Sequence, residues 1–260
     1  MRSSAVQLCL LLAAGCASTP GDSLVWSDSL ARTLERESGE VVEVARFSRL
    51  RPGAPVDPWQ PFLVVRGNTP TDYRVVEVDG TPALGAEGRE GGSGLWNKIR
   101  VDPQRSPILE WRWRVPRPDP GSPPLSVTSR ASPMARLSLA FHGDAGALDF
   151  EDRAKLRLAK ALTVHGLPYA SLLYVWMMRE PVDTVLISPH IDRVRMIVVE
   201  SGAQRAGEWV TFRRNVVEDF RRAYGEEPGD IVSVGLMTDH GDDGSPRRMI
   251  YGDITFRSAP

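Results

Sequence analysis

Cysteine is scarce in this sequence and is confined to one end of it. The 260 residues include two cysteines, Cys9 and Cys16. The rest of the chain has no thiol, which excludes internal disulfides, cysteine nucleophiles, zinc ribbons and iron–sulfur clusters from it. Such a chain also tolerates an oxidising compartment, because its main part has no thiol that can form a wrong disulfide.

The sequence also lacks an excess of charge of either sign. Lys and Arg number 32 against 33 Asp and Glu, so the formal net charge is −1 at pH 7. Proteins that bind nucleic acid generally carry a clear basic excess, and we therefore expect no nucleic-acid partner. The hydrophobic content of 42% is that of a globular protein with a core.

Complete catalytic motifs are missing too. The sequence contains no Gly-x-Ser-x-Gly elbow, no Walker loop and no Gly-x-Gly-x-x-Gly unit between a strand and a helix. The four histidines, His142, His165, His190 and His240, are scattered without the spacing of zinc ligands. Any catalytic residues are therefore left unassigned.

The apolar run near the start is too short to cross a membrane. It extends over Ala5–Ala14, is interrupted by Gln7 and follows Arg2, whereas a transmembrane helix needs about 20 apolar residues. A positive start and a short apolar run are typical of a secretory signal peptide. Small residues then lead directly into Cys16, and this arrangement resembles a bacterial lipobox, whose cysteine is diacylated and becomes the new N-terminus.

We therefore predict a signal peptide over residues 1–15, and a lipidated Cys16 with its tether over residues 16–40. Several acyl chains would hold the protein stably on a membrane of the bacterial cell envelope. Ala17 is not an aspartate-type inner-membrane retention signal, which favours the outer membrane, facing the periplasm. The alternative is an ordinary secretory signal cleaved at a nearby small-residue site.

Short alternating runs dominate the chain after residue 40. In Leu109–Val115, Trp111 and Trp113 fall on one face of a predicted strand and the charged residues fall on the other. Helical patterns are few: a faint one over Ser27–Glu37, and clearer ones from Asp149 to about Val164 and from Asn215 to Tyr224. Many short strands with few helices predict a mainly β fold: a single antiparallel β-sandwich or jelly roll over 41–257, with one or two packed helices.

A set of ordered motifs resembles the bacterial domain-of-unknown-function family 3047. The motifs are TDYRVV (71–76), SGLW (93–96), LEWRWRV, LPYASLLYVW, the Ser201-Gly202 pair, RRNVVEDFRRAYG, GLMTD and YGDITF. The resemblance covers about residues 42–257 and implies an envelope protein with a β-sandwich and no established activity. YGDITF is also similar to the last strand of galactose-binding-like jelly rolls, many of which are carbohydrate-binding modules.

Tryptophan and arginine on strands suggest a saccharide site. A flat indole ring stacks on the C–H face of a sugar, and neighbouring Arg and Asp side chains bond its hydroxyls. The candidate ligand-binding residues are Trp96, Trp111, Trp113, Arg136, Trp176 and Asp253. The alternative is that tryptophans on alternating strands fill the core.

An acidic loop suggests a metal site. Asp239, Asp242 and Asp243 crowd hard oxygen ligands on a glycine-rich turn, which is the chemistry that calcium prefers. The alternative is a polar hairpin loop whose aspartates accept backbone hydrogen bonds.

Three functions remain open from the sequence. The first is a membrane-tethered, non-catalytic module that binds a saccharide or another envelope ligand. The second is a glycan-active enzyme, which needs two carboxylates across a cleft; the candidates are Glu110, Asp219, Asp239 and Asp253. The third is a scaffold that binds another envelope protein.

Overall fold

The structure, a computed structural model, describes most of the chain after residue 25. The described residues are 26–37, 39–63, 69–88, 93–117, 133–162, 167–188, 191–238 and 247–259. Cys16 and the aspartates at 239, 242 and 243 lie outside them, so the lipidation and calcium predictions stay predictions. Within these ranges, the helices are all too short or too polar to span a membrane.

The described chain is mainly β, which confirms the predicted fold class. The helices are α1 (Trp26–Thr33), α2 (Phe150–Leu162) and α3 (Val216–Tyr224), with a 3-10 helix at Phe47–Arg49. The strands are β1 (Val41–Ala45), β2 (Gln60–Leu63), β3 (Asp72–Val78), β4 (Thr81–Gly88), β5 (Ser93–Asn97), β6 (Ile108–Arg114), β7 (Ala135–Phe141), β8 (Ala170–Met177), β9 (Val185–Ile187), β10 (Val194–Ser201), β11 (Val210–Asn215), β12 (Ile231–Met237) and β13 (Arg247–Arg257).

The strands form two sheets that pack face to face. Sheet I has the order β11-β6-β13-β4-β3, and β1 also pairs with β13. Sheet II has the order β2-β5-β12-β7-β8-β10-β9. One pair, β8 with β10, is parallel, which departs from the purely antiparallel prediction. The chain passes from β8 to the edge strand β9 and then returns to fill the place between them, so β8 and β10 run in the same direction.

The β6 strand shows how the sequence pattern builds the core. Trp111 and Trp113 are 2% and 0% exposed and face sheet II, where the ring of Trp111 lies 4.9 Å from that of Tyr174. Glu110, Arg112 and Arg114, which alternate with them, are partly exposed on the outer face of sheet I. The predicted alternation is therefore correct, and the charged residues turn outward because an unpaired buried charge is costly.

Helix α3 lies close to its predicted place. The Asn215 side chain accepts hydrogen bonds from the backbone N–H groups of Val217 and Glu218, and so caps the first turn. Gly225 ends the helix at φ 72°, a left-handed conformation that favours glycine. The helix buries Phe220 against Phe141, with ring centres 4.5 Å apart.

A buried polar network joins α3 to both sheets. The Tyr174 hydroxyl of sheet II donates to Asp219 Oδ2 at 2.9 Å, and Arg214 of sheet I donates to both carboxylate oxygens at 2.8 and 2.6 Å. Burial raises the pKa of Tyr174 well above its usual value, and the adjacent Asp219 carboxylate adds to that rise. The phenol therefore stays protonated and keeps donating to Asp219.

Hydroxyl groups join the sheets at a second place. The Thr71 hydroxyl bonds Ser93 Oγ at 2.9 Å and donates to the backbone carbonyl of Thr238 at 2.9 Å. The Thr238 hydroxyl in turn lies 2.7 Å from the hydroxyl of Tyr251, on β13 of sheet I. These groups are buried, and each finds a partner inside the protein, as buried polar groups require.

The packed part of the chain extends upstream of residue 41. Helix α1 covers 26–33, shorter than the predicted helix, and places Leu30 and Ala31 against Ala140 and Val232 of sheet II. Just after it, Arg36 donates to the buried carboxylate of Asp230 at 3.0 Å.

Replacing Asp219 by alanine is expected to destabilise the fold by about 3 kcal/mol, because the change leaves the buried Tyr174 hydroxyl without its acceptor and removes the buried partner of Arg214, which keeps only the exposed Asp183. Tyr174→Phe keeps the Arg214–Asp219 ion pair and is expected to cost about 1 kcal/mol. Glu208→Ala serves as a control, because this exposed acid pairs only at the surface with Arg205. Urea unfolding followed by circular dichroism measures all three; equal costs for the Asp219 and Tyr174 variants would contradict the role given to Asp219.

Candidate functional site

Three of the predicted ligand-binding tryptophans are core residues. Trp111, Trp113 and Trp176 are 2%, 0% and 1% exposed. Trp176 faces the sandwich interior from β8 and donates from Nε1 to the carbonyl of Gly202 at 2.7 Å. These rings fill the space between the sheets, so the prediction that they contact a ligand is replaced by a role in the core.

Trp96 and Arg136 do share a face. Trp96 on β5 and Ser138 on β7 are both register partners of Gly235 on β12, which places Arg136, two residues before Ser138, on the same outer face of sheet II. However, Trp96 is 9% exposed: its ring packs against that of Phe62 at 5.2 Å, and Lys98 Nζ lies 4.8 Å from its centre. The ring is therefore mostly covered by its own neighbours.

Asp253 serves the fold. Its carboxylate accepts from the backbone N–H of Ser48 at 2.9 Å and from the Ser48 hydroxyl at 2.5 Å, and Arg46 lies 3.6 Å away. These bonds fix the 3-10 helix against β13. The side chain is thus engaged within the protein and is not aimed at a ligand.

The other candidate carboxylates are engaged as well. Glu110 accepts from Arg213 at 3.2 Å and from Arg257 at 2.7 Å, and Asp219 belongs to the buried network. Among the residues that the structure describes, no group of three or more His, Cys, Asp or Glu side chains is placed to hold a metal ion.

Cavities of the described residues lie on the outer face of sheet I. Two of them, of about 420 and 280 Å³, share Pro116 and Ile250 and together form what we call the outer-face groove. Its floor is apolar: Ile250 on β13 pairs with Gly85 on β4, and Val76 on β3 lies beside that glycine. A Cβ at Gly85 would lie 3.1 Å from Val76 Cγ2, so a larger residue at this position would crowd Val76 and fill part of the groove.

Ion pairs form the rim of the outer-face groove. Arg114 lies 2.7 Å from Asp79, in the turn between β3 and β4. Across the floor, Arg248 lies 3.4 Å from Glu87. The rim thus offers donors and acceptors side by side, above an apolar floor.

Trp209 adds an aromatic ring to this face, and sequence reasoning missed it. It directly precedes β11, in which Val210 is buried and Thr211 is exposed, so Trp209 takes the outward position and is partly exposed. The guanidinium carbon of Arg112 lies 4.5 Å from the centre of its ring. That alternation was the available signal: the residue before an inward Val210 must point outward.

A glycine makes room for the arginine on Trp209. A Cβ at Gly252 would lie 2.5 Å from Arg112 Cγ and 2.7 Å from Arg112 Nε. The Arg112 side chain therefore lies directly over the backbone of β13, and a side chain at position 252 would displace it. Sheet I thus presents, on one face, an apolar groove, paired charges, and a tryptophan with an arginine on its ring.

A family model described as "Protein of unknown function (DUF3047)" matches residues 57–255. No curated protein is significantly similar to the chain. Solved structures that resemble it include the CBM22-1–GH10 modules of Clostridium thermocellum xylanase 10B, complexed with xylohexaose (14% identity, 84% of this chain, 28% of that chain, TM-score 0.37). Another is the xylan-binding module CBM15 (12% identity, 84% of this chain, 96% of that chain, TM-score 0.36). A third is a β-1,2-glucanase from Parabacteroides distasonis (11% identity, 84% of this chain, 25% of that chain, TM-score 0.38).

The chain spans about a quarter of the length of the xylanase and of the β-1,2-glucanase. At these identities and TM-scores the similarities say nothing about function.

Acrylamide quenching should distinguish the outward tryptophan from the buried ones. We expect Trp209→Phe to remove a larger share of the quenchable fluorescence than Trp176→Phe, because Trp209 is partly exposed while Trp176 is 1% exposed. Equal losses in the two variants would show that Trp209 is not the more accessible ring.

Proposed function

The chain belongs to the DUF3047 family, and on that premise we propose that it is a non-catalytic saccharide-binding module of the bacterial cell envelope. The observation that carries the proposal is the outer face of sheet I, where an apolar groove, rim ion pairs and Trp209 lie on one surface. A saccharide is complementary to such a surface, because it has apolar C–H faces and hydroxyl groups at its edges.

The chemistry of the outer-face groove matches a sugar chain at each level. The floor at Val76, Gly85 and Ile250 can be covered by C–H groups, and the Trp209 ring can stack on a pyranose face. The rim pair of Arg114 and Asp79 offers donors and an acceptor to neighbouring hydroxyls. The larger cavity, about 420 Å³, is of the size that binds small ligands.

Binding without catalysis is favoured over glycan hydrolysis. A glycosidase needs two carboxylates facing each other across the bound bond. Glu110, Asp219 and Asp253 are engaged by neighbouring side chains and do not line the outer-face groove. These three candidates therefore give the enzyme hypothesis no support. The carboxylates that do line the groove are Glu77, Asp79 and Glu87, of which Asp79 and Glu87 are paired with Arg114 and Arg248.

The location completes the proposal. The lipobox-like sequence ending at Cys16 would attach the module to a membrane by its acyl chains. We place it at the outer membrane, facing the periplasm. There, a saccharide-binding face on a tethered domain would hold an envelope polysaccharide close to the membrane.

Trp209→Ala is expected to weaken saccharide binding by about 30-fold, equivalent to about 2 kcal/mol, because a stacking aromatic at a binding site is an energetic anchor. A thermal-shift screen of the domain against soluble oligosaccharides first finds a ligand, since a hundredfold excess over Kd adds about 2.7 kcal/mol of stability. Isothermal titration calorimetry then gives Kd for the variant.

Phe150→Ala is the matched control for the tryptophan variant. Phe150 is an aromatic residue on α2, 78% exposed and outside the outer-face groove, and its loss should leave Kd unchanged. The proposal fails if no oligosaccharide stabilises the domain, or if both aromatic variants bind as well as the unchanged protein. Release of product during long incubation would favour the enzyme instead.

Cys16→Ser should abolish lipid attachment. In cells fed labelled palmitate, the unchanged protein is expected to carry label and to remain with the membrane fraction, because the thiol is the acylated group. The Cys16→Ser variant should lose the label. Cys9→Ser is the control and should keep the label, because Cys9 lies within the predicted signal peptide. Label retained by the Cys16 variant would overturn the anchor.

A further inference from the structure

The outer face of sheet I is rich in arginine, and most of these arginines are neutralised by acids. Arg114 pairs with Asp79, and Arg248 pairs with Glu87. Other pairs on this face include Arg74 with Asp72, and Arg213 and Arg257 with Glu110. An arginine in such a pair has already satisfied part of its donor capacity.

Arg112 is different. Its guanidinium lies over the Trp209 ring, and in the described part of the chain it takes part in no hydrogen bond and no ion pair. Guanidinium carries five N–H donors in a fixed fork. The fork is held by Gly252 below and Trp209 beside it, so its direction is set while its donors remain available.

Arg117 resembles Arg112 in one respect. It donates from Nε to the carbonyl of Ala206 at 3.1 Å and, within the described ranges, pairs with no carboxylate. A Cβ at Gly207 would lie 2.8 Å from this Nε, so the glycine again lets an arginine lie flat on the backbone. Arg117 lines the larger cavity, together with Arg114, Glu77 and Asp79.

Arg112 and Arg117 lie on the same surface. Arg112 and Arg114 alternate on the outer face of β6, about 7 Å apart for a rise of about 3.3 Å per residue. Arg114 and Arg117 line the same cavity. Among the described residues, Arg117 at the larger cavity and Arg112 on the Trp209 ring are therefore two guanidinium groups without an acidic partner on this surface.

From this arrangement, and resting on the proposed function, we infer that the saccharide is acidic, with sugar carboxylates bound by Arg112 and Arg117 while a pyranose ring stacks on Trp209. The planar fork of arginine matches a carboxylate with two parallel hydrogen bonds. A neutral sugar would leave both positive charges unpaired. The paired arginines serve the hydroxyls, and the unpaired ones set the preference for a charged sugar.

The test compares the same sugar backbone with and without charge. Calorimetric titrations use oligogalacturonate and a glucuronate-substituted xylo-oligosaccharide, each beside its methyl-esterified neutral form. We expect each acidic form to bind about tenfold more tightly than its ester, in line with charge-assisted hydrogen bonds. The preference should shrink at high salt, because the Debye length falls from about 10 Å at 0.1 M to about 3 Å at 1 M.

The variants assign the preference to residues. Arg112→Gln and Arg117→Gln should each reduce the acid-over-ester ratio, because the acidic form loses more affinity than the ester does. Arg112→Lys, which keeps the charge but loses the fork, should fall between. Arg105→Gln, an exposed arginine paired with Asp102 and outside the outer-face groove, removes the same charge elsewhere and should leave the ratio unchanged.

The outcomes separate the two proposals. Equal binding of acid and ester overturns the acidic inference and leaves the saccharide module in place. A preference for acid that survives both glutamine variants overturns the role of these arginines. Stabilisation by inorganic phosphate equal to that by the acidic sugars would show a simple anion site and overturn the inference. No binding of any acidic or neutral saccharide would remove the proposed function, and the inference with it.

Discussion

The carboxylate of Asp219 is the point on which the arrangement of the two sheets depends. It lies on α3 and accepts from Tyr174 of sheet II and from Arg214 of sheet I. Because Arg214 belongs to β11, the network fixes that edge strand beside β6, where Arg214 and Leu109 are register partners. The placement of β11 in turn brings Trp209 to the outer face beside Arg112. An interaction buried inside the sandwich thus supports the geometry of a surface on its outside, together with the β11–β6 ladder.

The family motifs meet inside the molecule rather than at the outer-face groove. Thr71, Ser93, Thr238 and Tyr251 come from TDYRVV, SGLW, GLMTD and YGDITF, and their hydroxyls are linked within one buried network. Backbone carbonyls complete the network, since Thr71 also donates to the carbonyl of Thr238 and Tyr251 to that of Met237. These motifs identify a way of joining two sheets, which explains why they point clearly to a fold and not to a ligand.

The sequence predicts much of the fold because period-two patterns determine which residues share a face. In β6 the pattern places two tryptophans on one face and three charged residues on the other. Helix α3 is recognisable from its N-terminal cap, Asn215, and from the glycine that ends it. The parallel pairing of β8 with β10 escapes prediction, because it depends on the order in which strands join a sheet. The candidate site was predicted less well. The charged residues that alternate with Trp111 and Trp113 indicate that the tryptophan face is buried, whereas the saccharide hypothesis assigned these rings to a ligand. Trp209 precedes its strand and belongs to no conspicuous apolar or alternating run.

The position of β13 within sheet I has a consequence for biogenesis. This strand pairs with β6 along one side, and along the other with β4 and then with β1, so that Val42 meets Phe256 more than two hundred residues later in the chain. The centre of the sheet is thus supplied by the last of the strands to be synthesised. Contacts so distant in sequence form slowly, since a long loop must close before they are made. A chain that is still being made has no central strand on which β1 and β4 can assemble. Sheet I can therefore close only after β13 has been synthesised.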